Sequence, residues 1–176
     1  MSDSELKLQL IDSAATEVLG AALADALRFG AANAPTAAPA VIHLQGELGA
    51  GKTTCARSLL HALGVRGIVR SPTYTLVEIY AASGIQCVHV DLYRLRGPQD
   101  LEDLGLRDYM TDGNLLLIEW PERGGAALPP ADLVVSLGYR GDGREAMLVP
   151  HSARGANWVA DLRTDRRLVP YLSNLT

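Results

Sequence analysis

One octapeptide, Gly46-Glu47-Leu48-Gly49-Ala50-Gly51-Lys52-Thr53, limits what this chain can fold into more than any other feature. It fills every fixed position of the pattern G-x-x-x-x-G-K-[ST]. A short apolar run, residues 41–44, precedes it. Residues 52–63 follow with helix-forming character, and Gly64 suits a helix stop. Strand, glycine turn and helix in that order make a phosphate-binding P-loop. Glycines let the backbone turn so that its N–H groups converge on phosphate oxygens. The helix N-terminus adds partial positive charge. On this reading Glu47, Leu48, Gly49, Ala50 and Gly51 supply the cradle, and Lys52 reaches the β- and γ-phosphates. The Thr53 hydroxyl ligates Mg²⁺, and Thr54 is placed for an α-phosphate oxygen. Lysine occurs elsewhere only at Lys7, so Lys52 stands out.

The rest of the chain reads as one α/β domain. Leu6, Leu8 and Leu10 alternate with polar residues, as in a strand. Asp12 and Ser13 offer helix caps before apolar residues at helical spacing from Val18 to Leu27, and Gly30 suits the stop. Residues 31–39 form a Pro/Ala loop. Two β-rich runs, 75–80 and 85–90, flank a turn at 81–84 and predict an antiparallel hairpin. Pro98 opens a helix through Leu101, Leu104 and Tyr109, which Gly105 weakens. Residues 115–118 are wholly apolar, as in a strand covered on both faces. Residues 133–137 and 146–149 flank Gly141-Asp142-Gly143, a second hairpin. The fold class expected is three-layer α/β with a mixed sheet that includes antiparallel hairpins. The domain spans 1–150, and 151–176 is a tail whose structure the pattern leaves open.

Composition narrows the function classes. The 16 basic residues against 20 acidic ones leave a net charge of −4, so a chain-wide basic footprint for nucleic acid is absent. Cys55 and Cys87 are too far apart for a C-x-x-C pair, which excludes a cysteine zinc site and a disulfide framework. The Ala-rich run 18–40 is broken by charges and prolines and is no bilayer span. The start of the chain lacks the basic and apolar regions of a signal peptide. A cytoplasmic protein is expected.

A P-loop needs a second carboxylate on a neighbouring strand. Glu119 closes the uninterrupted apolar run and is the better candidate. Asp91 closes Cys87-Val88-His89-Val90-Asp91 and is the alternative; both fall at strand ends, where α/β ligands bind. His89 reads as a buried hydrogen-bonded residue rather than a metal ligand, and Trp120 as a core aromatic. Arg94 is either a charge stabiliser or an ordinary solvated arginine.

The ordered series G-E-L-G-A-G-K-T-T at 46–54, S-P-T-Y at 71–74, H-V-D-L-Y-R at 89–94 and I-E-W at 118–120 followed by Pro121 resembles the TsaE family. These are P-loop ATPases of bacterial tRNA threonylcarbamoyladenosine biosynthesis. The resemblance covers about residues 6–149 and implies a fold of the P-loop NTPase kind with ATP and Mg²⁺ as ligands. It implies docking on TsaB and TsaD, whose TsaD partner modifies adenosine 37 of ANN-decoding tRNAs, with tRNA contact indirect and ATP hydrolysis resetting the complex. It implies that Thr53 and Glu119 hold Mg²⁺, that Asp91 acts near the γ-phosphate or its water, and that Trp120 matters for activity. Lys52, Asp91, Glu119 and Trp120 are thus the expected catalytic set. Residues 71–74 would form a nucleotide-sensing loop, and 12–16 would lie near the adenine. A small-molecule P-loop kinase and a nucleotide-dependent switch module are the rival readings; no N-K-x-D guanine signature is present.

Overall fold

The computed structural model describes residues 5–33, 38–82 and 84–173. Among the described residues seven strands form one sheet: β1 (Leu6–Leu10), β2 (Ala40–Gln45), β3 (Val77–Ala82), β4 (Ile85–Asp91), β5 (Leu115–Glu119), β6 (Leu133–Arg140) and β7 (Gly143–Pro150). Their order across the sheet is β1-β7-β6-β2-β5-β4-β3. The four central strands, β6, β2, β5 and β4, run parallel. The hairpins β3–β4 and β6–β7 and the outer strand β1 add the antiparallel part. The mixed sheet expected from the sequence is therefore present.

The layers follow from alternation along the strands. On β5, Leu115 and Leu117 face one core, while Leu116 and Ile118 face a second on the other side of the sheet. A strand between two covered faces cannot alternate apolar with polar, hence the unbroken run. The first core is closed by α1 (Ser13–Asn33), α2 (Lys52–Leu63) and α4 (Ala153–Thr164). The second is closed by α3 (Pro98–Asp103), the short turn Leu106–Tyr109 and the loop carrying Leu92 and Leu95. This gives the three layers.

Several boundaries differ from the pattern reading, each for a local reason. The helix expected through Tyr109 stops at Asp103, because Gly105 adopts φ 61°, and resumes only as a tight turn. Strand β3 starts at Val77, since Leu76 sits at φ 63° and ends the preceding loop. Helix α1 continues three residues past Gly30. It is capped by Asp12, whose Oδ1 accepts the Ala15 N–H at 2.7 Å. The expected loop 31–39 and turn 81–84 lie partly outside the described residues.

The segment after His151 forms α4. Ser152 caps it, accepting the Gly155 N–H at 3.1 Å. Trp158, Val159 and Leu162 are buried in the same core as Leu19 and Leu23 of α1. Farther on, Leu172 bridges to Leu8 of β1. Among the described residues, no helix is long and apolar enough to cross a membrane.

Candidate nucleotide site

The loop after β2 turns on its glycines. Gly46 has φ 133°, and a Cβ there would lie 2.0 Å from the Leu137 carbonyl oxygen, so no side chain fits. Gly51 has φ 109° and caps α2 in the left-handed region, where glycine carries no steric penalty. Ala50 is buried and donates its N–H to the Glu47 carbonyl at 3.1 Å, tightening the turn. The outer side of the loop is held by the β6–β7 hairpin. The Tyr139 hydroxyl donates to the Leu48 carbonyl at 3.0 Å, and an Arg144 N–H donates to the Gly49 carbonyl at 3.3 Å. A trans peptide points its N–H away from its C=O. Holding the Leu48 carbonyl outward therefore aims the Gly49 N–H inward.

Lys52 opens α2 and is only 4% exposed. Its ammonium donates to the carbonyls of Gly46 at 2.6 Å and Glu47 at 2.8 Å. It also lies 3.8 Å from the centre of the Trp120 ring. Burial lowers its pKa from the ordinary 10.5, while the charges of Glu119, Glu122 and Asp91 pull it back up. Trp120 itself adopts φ 60°, uncommon for a bulky residue. Its N–H reaches the Leu44 carbonyl at 3.2 Å, and its ring packs on Tyr93 with centroids 5.0 Å apart. Trp120 is thus a wall of the cavity as well as a neighbour of the second core.

Strand order decides where the two carboxylates stand. β5 lies beside β2, and β4 lies one strand farther out. Glu119, at the end of β5, therefore stands next to the loop. Its Oε2 accepts the Thr53 hydroxyl at 2.9 Å. Its Oε1 lies 2.8 Å from Nε2 of the buried His89. Asp91 is the register partner of Glu119 across β4–β5. Its Oδ2 accepts the hydroxyls of Ser71 and of Thr73, the latter at 3.3 Å. Its Oδ1 accepts the Tyr93 N–H at 2.9 Å. The loop 71–74 is therefore tied to Asp91.

Lys52, Thr53, Thr54, Asp91, Glu119 and Trp120 line one cavity of about 280 Å³, together with Leu48, Gly49 and Gly51. Glu47 and Ala50 belong to the loop but not to the cavity wall. The segment 12–16 comes up to the loop from the side, with the Thr16 methyl 3.3 Å from where a Gly51 Cβ would sit. Arg94 stacks on the exposed Tyr74 ring at 4.1 Å and does not line the cavity. Tyr139 and Arg144 lie beyond the two strand runs, 133–137 and 146–149, that the pattern marked. Only the longer pairing of β6 with β7 carries them over the loop.

Comparison with known proteins agrees with this picture. The family model described as "Threonylcarbamoyl adenosine biosynthesis protein TsaE" matches residues 10–146. A tRNA threonylcarbamoyladenosine biosynthesis protein TsaE from Haemophilus influenzae is 45% identical over 120 residues, covering 68% of this chain and 76% of its own length. The protein of the same name from Treponema pallidum is 35% identical over 109 residues, covering 62% and 80%. Among solved structures, Bacillus subtilis YdiB superposes with a TM-score of 0.71 at 26% identity, covering 90% of this chain and 94% of that one. The architecture is that of a P-loop NTPase.

Proposed function

The chain belongs to the TsaE family, and from that premise we propose that it is a Mg²⁺-dependent ATPase serving threonylcarbamoyl modification of adenosine 37 in ANN-decoding tRNAs. In this reading it docks on the TsaB–TsaD pair, and ATP hydrolysis resets that complex; tRNA is met through the complex rather than bound directly. The observation that carries the reading is the meeting of Lys52, Thr53, Glu119 and Asp91 around one cavity at the carboxyl ends of β2, β4 and β5.

The donor set suits the cation. A hydroxyl and a carboxylate oxygen 2.9 Å apart are hard oxygen donors, as Mg²⁺ prefers. No group of three His, Cys, Asp or Glu side chains able to hold a metal occurs among the described residues. This suits a cation that completes its shell with phosphate oxygens and water. Thr53 and Glu119 would hold it, and when bound it would neutralise charge on the β- and γ-phosphates.

The protein's own groups supply positioning and charge. Loop N–H groups and the α2 N-terminus receive the phosphates. Lys52, kept out of water, acts on the phosphate oxygens more strongly than an exposed lysine would. Asp91 orients the attacking water. The water oxygen bonds to the γ-phosphorus as the bond to the bridging oxygen breaks, and the proton that the water sheds passes to Asp91 and on to solvent as ADP and phosphate leave. Asp91 already accepts from three donors, so it is held firmly before the water arrives.

The test is phosphate release from ATP by the protein alone and with TsaB and TsaD. The expected result is slow turnover alone and a clear rise with the pair. A rate already fast and unmoved by the partners overturns the reading. Transfer of label to a small-molecule acceptor instead of water would establish the kinase alternative.

A further inference from the structure

Glu119 has two oxygens, and only Oε2 faces Thr53. The other is engaged from the neighbouring strand. His89 sits on β4 opposite Leu117 of β5, two residues before Glu119. Alternate residues share a sheet face, so His89, Asp91 and Glu119 all project from the same one. The His89 ring is fully buried, with Nε2 2.8 Å from Glu119 Oε1. Its Nδ1 is also buried and has no hydrogen-bond partner among the described residues. A carboxylate oxygen can only accept, so the hydrogen belongs on Nε2. The bare Nδ1 is then a lone pair, less costly to leave unpaired than a buried N–H.

We propose that His89 is a positioning residue for Glu119: its Nε2–H fixes Oε1 and so presents Oε2 alone to Thr53 and the cation. His89 does not line the cavity, so it acts through the carboxylate and touches neither nucleotide nor metal. Groups that orient a metal-binding side chain in this way change metal affinity by about 10–100-fold when removed. The proposal rests on the reading of the cavity as a Mg²⁺–nucleotide site, and its test separates the two.

ADP is titrated calorimetrically into the protein in EDTA and in Mg²⁺. The unaltered protein should bind ADP in both and more tightly with Mg²⁺. In His89→Leu the affinity in EDTA should hold, while the gain conferred by Mg²⁺ falls by about 10–100-fold. His89→Gln, whose side-chain N–H can reach Oε1, should recover most of that gain. Adding His89→Leu to Glu119→Gln should cause no further loss, because the two act as one unit. A His89→Leu protein that keeps the full Mg²⁺ gain overturns the proposal. Failure of the unaltered protein to bind ADP in either buffer removes the site reading, and the proposal with it. Should His89→Leu fail to fold, nitrogen-15 spectra of the unaltered protein decide. Hydrogen on Nε2, with a resonance that moves when Mg²⁺ joins the ADP complex, supports the proposal; hydrogen on Nδ1 overturns it.

Discussion

Under the proposed ATPase function Lys52 and Asp91 divide the work at the cavity, and the division predicts different failures. Asp91 is held by Ser71, Thr73 and the Tyr93 N–H at the far side from the loop. Asp91→Asn keeps the shape but weakens the pull on a water proton. Its kcat should fall about 100-fold or more, as for other lost proton acceptors, while KM stays within a few-fold. Steady-state kinetics at saturating Mg²⁺ checks this. Another residue bears on stability rather than chemistry. Cys55 is fully buried on α2, and burial, with a smaller push from Glu119, raises its thiol pKa from 9.0 to about 12. The folded state thus keeps a proton that the unfolded chain loses above pH 9, so the stability Cys55 contributes is present below pH 9 and drains away as pH rises. Between pH 8 and 10 that loss is on the order of 1 kcal/mol for one such group. Cys55→Ala lacks it, so denaturant titrations should show the gap between wild type and variant shifting by that amount toward the variant. A constant gap would contradict it.

At the scale of elements, packing overrides local preference where helices cross. Gly20 of α1 lies against α2, and a Cβ there would stand 2.4 Å from the Cys55 carbonyl oxygen. Alanine is favoured over glycine in a helix by about 1 kcal/mol. The clash, with backbone and not with a flexible side chain, should cost about 1–3 kcal/mol and win. Gly20→Ala should therefore lower the urea midpoint; an unchanged or raised midpoint would show that the helices can part freely. What could be read from sequence follows the same division between local and distant causes. The P-loop, helix Lys52–Leu63 and the β5 run were legible because a short contiguous pattern determines each. The break at Gly105 was only half legible, since glycine lowers helix preference without fixing where the helix ends. Which carboxylate meets Thr53 was legible only as a preference for Glu119, drawn from the unbroken apolar run that it closes. It depends on β5 lying between β2 and β4, a matter of strand order that neither Asp91 nor Glu119 records locally. The hold of Tyr139 and Arg144 on the loop, and of Ser71 and Thr73 on Asp91, likewise arises from tertiary approach.

For the whole molecule, a ligand that binds only the folded form must stabilise it. At a nucleotide concentration 100 times Kd the gain is about 2.7 kcal/mol. For a chain of this size that is a rise in Tm of about 5–11 °C. Thermal unfolding with Mg²⁺–ADP should show it, and Mg²⁺ alone should not. The net charge of −4 gives no general attraction to tRNA, which fits the proposal that tRNA is met through protein partners. The central claim is that Lys52 grips the phosphates in a cradle preformed by the loop. Its most direct test is calorimetric titration of a non-hydrolysable ATP analogue with Mg²⁺ into wild type and Lys52→Ala. Loss of one charge-assisted contact of about 1.5–3 kcal/mol predicts binding weakened by about 10–150-fold, with an unchanged circular dichroism spectrum. Equal affinity in the two proteins, or no heat in either, would contradict it.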